Sequence, residues 1–550
     1  MPRRSLTRLY QDEFSGYSSA KFQKDLFAGL TVAAVALPLS LAFGAASGVS
    51  AAAGLVTAIL AGIVMGALAG APYQISGPTG SMSAVLVLLV TRYGVESVWI
   101  AGFLSGALLL IIGIMRLGRF IAFIPAPVIR GFTSGIALII FISQIDSLLG
   151  VKTPAATTAA QKFLGYFHGG FVLDPRAIFL GLVVIGTMLL MPAKWNARFP
   201  ASLFGIILAT LLNWIFGWSV AHIGVIPRTL FLEQRINVFD IPWEHLSNFI
   251  APTLTLTALG AVESLLCGAV ASNMTGVRLQ ANQELIAQGV GNMLLPFFGG
   301  IPADAAIART SVAIKSGGQT RLTSVFQALA LLLSMLLLAP FIEIIPLAAL
   351  AGVLMMTAIR MSEWGAIKFM FSKLFTTDMF AFVITMLATV VLDLTQAILL
   401  GTCLAAAVFL NNIASIDIDV QDVDIERLKQ KGIVTEAKCQ HVRVAFLTGP
   451  LFFAAMGQFN EAFRNLGDAH ALILSMRGVS LIDIAGIEAI SRLHERLREQ
   501  DGALMFAGVH DNALQMMERG GLVKIIGEEN FFWSSDQAII EAERRGCKFC

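Results

Sequence analysis

Apolar runs long enough to cross a bilayer recur along most of this 550-residue chain, and they restrict its fold more than any other feature. Ile136–Ile145, Leu203–Leu212 and Met379–Val391 reach spanning length with their flanks, a span needing roughly 20 predominantly apolar residues. Charged residues make up 13% of the chain. A soluble globular chain carries about 25%, so there are too few here to cover a water-facing surface. The alternating pattern of a β-barrel is absent. The sequence therefore predicts a polytopic α-helical membrane protein. The net charge is +2, with Lys and Arg scattered between apolar segments, and no basic stripe points to nucleic acid.

On the same length rule the chain holds about fourteen segments, near 27–44, 51–70, 76–90, 97–115, 128–149, 175–192, 201–217, 250–270, 284–299, 304–315, 323–340, 343–359, 377–392 and 395–412. A basic, polar stretch precedes them at 1–26, with Arg8, Lys21 and Lys24, and lacks the pattern of a cleaved signal peptide. The composition changes near Ile413. The expected order is a cytoplasmic N-terminal segment (1–26), a transport domain (27–413), a charged linker (414–439), a small soluble domain (440–545) and a tail (546–550). Strand-like runs at Val442–Leu447, Ala471–Ser475 and Leu504–Val509 alternate with helical spacing at Ile484–Arg498 and Asp511–Arg519, which predicts an α/β domain. An even number of spans puts both termini in the cytoplasm, and loop charges such as Arg116, Arg278, Lys315, Arg321 and Arg360 agree with the positive-inside rule. The expected location is the inner (plasma) membrane. Of the five cysteines, Cys547 and Cys550 form a CxxC in the tail, read as two free thiols because zinc wants four ligands.

Fourteen divides into two sevens, at about 27–217 and 250–412. The third segment of each half opens on a helix-breaking cluster: Ser76-Gly77-Pro78-Thr79-Gly80 and Gly299-Gly300-Ile301-Pro302-Ala303-Asp304. Short, interrupted segments at matching positions of two halves point to a carrier's midplane site. In the first cluster Pro78 suits the first turn of a helix, Ser76 can cap it, Gly77 and Gly80 allow close backbone approach, and Thr79 and Ser81 add hydroxyls. A helix beginning in mid-membrane presents free N–H groups and a partial positive charge, which favour an anion. The alternative is a kinked spanning helix.

The second cluster leads into Ala308-Arg309-Thr310. A charge such as Arg309 inside an apolar segment is expensive and usually functional; the alternatives are snorkelling to the interface or bridging to a carboxylate. Glu263, well inside the eighth segment, suits coupling to a proton or a sodium ion, or a structural bridge to Arg309. Gln288 and Asn292 share a helical face in the ninth segment and read as polar glue between helices. Pro38 predicts a kink in the first segment, with Phe43 as an apolar wall or as plain packing. There is no phosphate loop, HExxH or Gly-x-Ser-x-Gly turn, so no enzyme and no cofactor is expected, and transport would run on an ion gradient or by exchange.

These residues resemble the sulfate permease (SulP) family of anion transporters with a C-terminal STAS domain. The carriers of the resemblance are Ala28-Gly29-Leu30-Thr31 with Leu37-Pro38, Gln74-Ile75-Ser76-Gly77-Pro78-Thr79, Gly131-Phe132-Thr133-Ser134-Gly135, Glu263-Ser264-Leu265-Leu266, Asn282-Gln283-Glu284-Leu285, Gln288-Gly289-Val290-Gly291-Asn292, the Arg309 segment and Ser316-Gly317-Gly318. The resemblance implies a 7+7 inverted repeat of core and gate domains, elevator-like movement, and a homodimer in the lipid bilayer. It implies a small anion as substrate, such as sulfate, bicarbonate or a C4-dicarboxylate. It places Thr79, Ser81 and Arg309 at or near the anion site, beside Ser76, Gly80, Ala308, Thr310 and Phe43, and Glu263 at the coupling position. In the STAS run Leu481-Ile482-Asp483-Ile484-Ala485-Gly486, Ala485 replaces the hydroxyl residue of phosphorylatable relatives, so the domain is expected to stabilise a dimer or dock a cytoplasmic protein. An uncoupled exchanger or channel, and a membrane-anchored STAS scaffold, are the competing readings.

Overall fold

The computed structural model describes residues 6–118, 126–151, 153, 159–166, 172–196, 199–237, 247–392, 396, 400–401, 403–404, 406–408, 410, 416–423, 441–464 and 469–545. The chain divides into two compact units, Met1–Cys403 and Leu404–Cys550. Each of the first thirteen expected segments contains a helix: Ser19–Ala46, Ala51–Leu68, Gly80–Tyr93, Glu96–Ile114, Ala126–Ser143, Pro175–Leu190, Ala201–Phe216, Ser247–Thr275, Ala281–Leu294, Ile307–Lys315, Leu322–Glu343, Leu347–Met361 and Thr376–Val391, here spans 1 to 13. Half of the fourteenth segment lies outside the described residues, as do 424–440 of the expected linker and the CxxC tail.

Among the described residues, seven helices are long and apolar enough to cross a membrane, and spans 3, 6, 7 and 13 are shorter apolar helices. Span 10 has 9 residues, which at 1.5 Å per residue reaches about 13 Å, less than half of a bilayer core. Span 1 runs unbroken through Pro38. Two groups of helices pack among themselves. Spans 1, 2, 3, 4, 8, 9, 10 and 11 form one, spans 5, 6, 7, 12 and 13 the other, and they meet where span 1 touches spans 7 and 12 and span 3 touches span 5. Small residues allow backbone-on-backbone crossings: a Cβ on Gly106 of span 4 would fall 2.6 Å from Met293 N of span 9, and one on Gly131 of span 5 would fall 2.5 Å from Phe382 O of span 13.

The segment before span 1 is more than a polar leader. It contains a helix, Leu6–Phe14, whose Glu13 pairs with Arg321 at 2.8 Å, both side chains being nearly buried. Tyr10 lies under the Arg321 guanidinium and donates to Ala67 O. Asp25, fully buried, accepts from Gln319 N, Thr320 N, Thr320 Oγ1, Thr323 Oγ1 and Tyr17 OH. Burial and the Asp25 carboxylate push the Tyr17 hydroxyl up to about 12, so it stays a donor.

The second unit is a five-stranded sheet in the order β3 (Asp417–Asp422), β4 (Val442–Thr448), β5 (Ala471–Gly478), β6 (Ala503–Ala507) and β7 (Phe531–Phe532). β4 to β7 are parallel, and β3 is antiparallel to β4. Alternate side chains feed two cores, since successive residues of a strand face opposite sides. Leu472, Leu474 and Phe506 pack with Ile490 and Leu493; Ile473 and Met505 pack with Val444 and Ile539. The expectation that 414–439 is linker is corrected at β3. Ile418 and Val420 are half-buried while Asp417, Asp419 and Asp422 face out, the charged profile of an edge strand. Asp483 caps helix Ile484–Glu499 by accepting from Gly486 N at 2.9 Å, and its second oxygen accepts from Phe453 N.

Candidate functional site

The two broken clusters, distant in sequence, are joined in space. Ser76–Gly77 (β1) and Asp304–Ala305 (β2) pair antiparallel, with Ser76 opposite Ala305 and Gly77 opposite Asp304. Pro78 has no N–H to extend the ladder. Ala306 N donates to Ile75 O at 2.9 Å, and spans 3 and 10 start just beyond at Gly80 and Ile307. Two helix N-termini thus converge, each with unpaired N–H groups and partial positive charge.

The caps differ from the sequence expectation. Ser76 lies in β1 and does not cap. Thr79 does, accepting from Met82 N. Pro78 sits one residue before the cap rather than in the first turn, because the chain is still extended as it leaves the strand. Span 10 has no side-chain cap at Ala306.

Arg309 is the largest fully buried side chain of the described residues. Its Nη2 donates to Pro78 O at 2.9 Å, and its Nη1 has no partner. The guanidinium lies against Gly77, where an added Cβ would fall 2.6 Å from Nη1. The bridge to Glu263 weighed from the sequence is not formed; Glu263 Oε2 instead accepts from Ser81 Oγ at 2.5 Å. Ser81 and Thr79 hydroxyls lie 3.0 Å apart. Asp304 is fully buried, and neither of its carboxylate oxygens receives a hydrogen bond.

The remaining candidates divide. Gly80 faces the other helix group: a Cβ there would meet Ile140 Cδ1 at 2.6 Å, Phe43 Cε1 at 3.1 Å and Met361 Sδ at 3.3 Å. Phe43 is therefore a wall over the start of span 3, and its carbonyl accepts from Ser83 Oγ. Ala308 is exposed in the first turn of span 10. Thr310 is drawn away from the opening, its hydroxyl accepting from Ile75 N and Cys267 Sγ. Ser76 is buried and accepts from Gln288 Nε2 at 2.8 Å.

One face of span 9 clasps both clusters. Glu284 accepts from Gly70 N at 2.8 Å and from Gln288 Nε2 at 2.7 Å. Asn292 donates to Ala303 O and accepts from Ala303 N, both at 2.8 Å. From span 8, Ser264 O accepts from Gln74 Nε2 and Ser264 Oγ from Ala305 N. Asp304 and the Pro78 carbonyl are the parts of the site that sequence reasoning passed over. A carboxylate beside an apolar stretch was the available signal for the first; nothing in the sequence marks a carbonyl.

A buried Arg309 with an unpaired Nη1 between two converging half-helices, in a bundle of apolar helices followed by a small α/β unit, is an arrangement suited to a membrane carrier of anions. The sulfate permease family profile matches residues 22–385 and the STAS domain profile residues 436–538; the chain belongs to the sulfate permease family and is an anion transporter. It is 32% identical to the putative sulfate transporter YvdB of Bacillus subtilis, covering 96% of this chain and 99% of that one. It is 29% identical to the bicarbonate transporter BicA of a Picosynechococcus strain, over 94% of each. Among solved structures, the transmembrane domain of a cyanobacterial BicA aligns at TM-score 0.62 and 28% identity, covering 71% of this chain and 98% of that one. SLC26A9 aligns at TM-score 0.83 and 19% identity, covering 99% and 97%, a likeness of fold.

Proposed function

We propose that the chain is a secondary active carrier of a small anion in the inner (plasma) membrane, with both termini cytoplasmic, moving the anion in symport with a proton or sodium ion. The observation that carries this reading is the Arg309 guanidinium, fully buried with Nη1 unpaired between two helix N-termini. A cation that already paired with a carboxylate would have little attraction left for a substrate; this one keeps its charge available. The Thr79 hydroxyl, with the backbone N–H groups of span 3 and of Ala308 and Arg309, completes a donor set that fits a carboxylate, bicarbonate or sulfate, while Ser81 Oγ donates to Glu263 and links it to the site. Glu263 is the coupling residue. The relatives named sulfate and bicarbonate transporters support this substrate range.

Transport would proceed by sliding of the helix group that holds the site against the group of Ile140 and Met361. The interface at Gly80 supports that movement, because the side chains it meets from the other group, Ile140 and Met361, are apolar. The STAS domain holds a homodimer or docks a cytoplasmic partner, since Ala485 leaves no hydroxyl for a phosphate. A chain truncated before the STAS domain loses assembly on this reading, and unchanged assembly and transport would refute it.

The test is uptake of labelled fumarate, bicarbonate and sulfate into proteoliposomes, each with and without an imposed proton or sodium gradient. Gradient-driven uptake of one anion, lost in Arg309→Ala and uncoupled in Glu263→Gln, is expected. Uptake indifferent to every gradient and to Glu263→Gln would make the protein an exchanger or channel, and a phenotype indifferent to Arg309→Ala would make it a scaffold.

A further inference from the structure

We infer that Glu13 and Asp25 are positioning residues for the anion site, clasping the far end of the short helix that carries Arg309; this rests on the carrier reading above. Span 10 is poorly equipped to fix its own axis. It has 9 residues, of which only Arg309, Thr310 and Ala313 are buried. Helices shorter than about 12 residues are marginal on their own. The Arg309 guanidinium cannot anchor the helix, since it has one bond, to Pro78 O, and its Nη1 is unpartnered. The aim of the guanidinium therefore follows the helix backbone, and a binding group has to be placed to within about 0.5 Å. The N-terminal end of span 10 is tied to Ile75, through Ala306 N and Thr310 Oγ1. Its C-terminal end is held from outside the helix.

Past Lys315 the chain turns back at once, with Gly317 at φ +90° and Gly318 N donating to Ala313 O. Asp25, in the second turn of span 1, takes the residues that follow. Its Oδ1 accepts from Gln319 N at 2.6 Å and from Thr320 N and Thr323 Oγ1 at 3.0 Å, and its Oδ2 accepts from Thr320 Oγ1 at 2.6 Å. Glu13, on helix Leu6–Phe14, takes Arg321: Oε1 accepts from the backbone N at 2.6 Å and Oε2 from Nε at 2.9 Å. The turn has no slack, because a Cβ on Gly318 would fall 2.7 Å from Thr323 Oγ1 and 3.0 Å from Ala313 O. Ala313 itself packs with Val32 of span 1 and Ile75. Span 1 also carries Phe43 to the start of span 3, so one helix holds a wall of the site at one end and the clasp on span 10 at the other. A carboxylate suits the clasp because it only accepts, whereas an amide would set N–H donors against donors.

Two measurements on the full chain in detergent test this. One is the Kd of labelled fumarate, bicarbonate or sulfate, whichever the wild type binds. The other is the rate at which N-ethylmaleimide alkylates Cys267, followed by peptide mass spectrometry. Cys267 is buried and its Sγ donates to Thr310 Oγ1 at 3.3 Å, so its reactivity reports how firmly span 10 is seated. Asp25→Asn is expected to raise the Kd about tenfold, since displacing a positioned group by about 1 Å costs up to about a hundredfold, and to speed the alkylation. Glu13→Gln should do both to a smaller extent, and it suffices if Asp25→Asn misfolds. Both quantities are taken on folded protein well below its melting temperature, where a loss of stability alone leaves them unchanged. Wild-type Kd in the folded variants would overturn the inference. A raised Kd with Cys267 alkylated no faster would also overturn it, because the effect would then bypass span 10. Absence of anion binding by the wild type would remove the carrier reading; the clasp on span 10 would still be judged by the alkylation rates, and equal rates in wild type and variants would remove it too.

Discussion

Two clusters of buried polar groups touch the same pair of broken segments, and they are finished to different degrees. On span 9 every oxygen of the Glu284 carboxylate has a donor, and Asn292 both gives to and takes from Ala303. At the helix starts, Arg309 Nη1 and both Asp304 oxygens have none. Buried polar groups are nearly always satisfied, and a complete network rigidifies what it holds. The span 9 clasp comes nearer to such a network, with Gln288 Oε1 its one unpartnered atom, and holds the geometry of β1 and β2. On the carrier reading proposed above, the deficit beside it belongs to the groups that would meet the anion.

The contrast can be broken by exchanging what each cluster loses. The largest effect is expected from Arg309→Ala, which removes a charge-assisted bond to substrate worth about 1.5–3 kcal/mol. Uptake should fall roughly ten- to a hundredfold, while the melting temperature changes little. Glu284→Ala should do the reverse. It strands the Gly70 N–H and the Gln288 amide, costs about 1–3 kcal/mol of stability, and lowers the melting temperature, with uptake per folded molecule retained. Gly77→Ala sharpens the comparison, because its Cβ would fall 2.6 Å from Arg309 Nη1 and displace the guanidinium. A KM raised about fivefold, equivalent to about 1 kcal/mol, is expected with kcat unchanged.

The smallest effect lies in the STAS domain. Arg544 and Arg545 bond the Glu541 carboxylate and hold it at about 2, below its ordinary 4.5. A carboxylate depressed in this way adds stability above its unfolded value and loses it as the pH falls toward 2. Glu541→Gln should therefore speed hydrogen exchange in helix Ser535–Arg544 slightly at neutral pH, and the difference from wild type should shrink on acidification.

The spans, the two interrupted segments, Arg309 and Glu263 were legible because apolar length and an out-of-place charge are local signals. The pairing of Ser76 with Ala305 was not, since two-residue strands have no period to read. Which residue caps span 3 turned on whether Pro78 stands inside the helix or before it, and both positions suit a proline. Asp304 hid as part of a turn-forming cluster, although its charge matters only once β2 buries it. Arg321 read as a loop cation and is instead a buried partner of Glu13, because the tie spans most of the membrane unit's sequence. In the STAS domain, β3 was masked by its acidic outer face, while the central strands stood out as apolar runs.

The central claim is that Arg309 is free to bind substrate. Equilibrium binding of the labelled anion that the wild type takes up best, measured on purified protein in detergent, tests it most directly. Saturable binding to wild type and to Glu284→Gln is expected, with none detectable in Arg309→Ala. Binding of equal affinity in Arg309→Ala, with that variant folded, would contradict it.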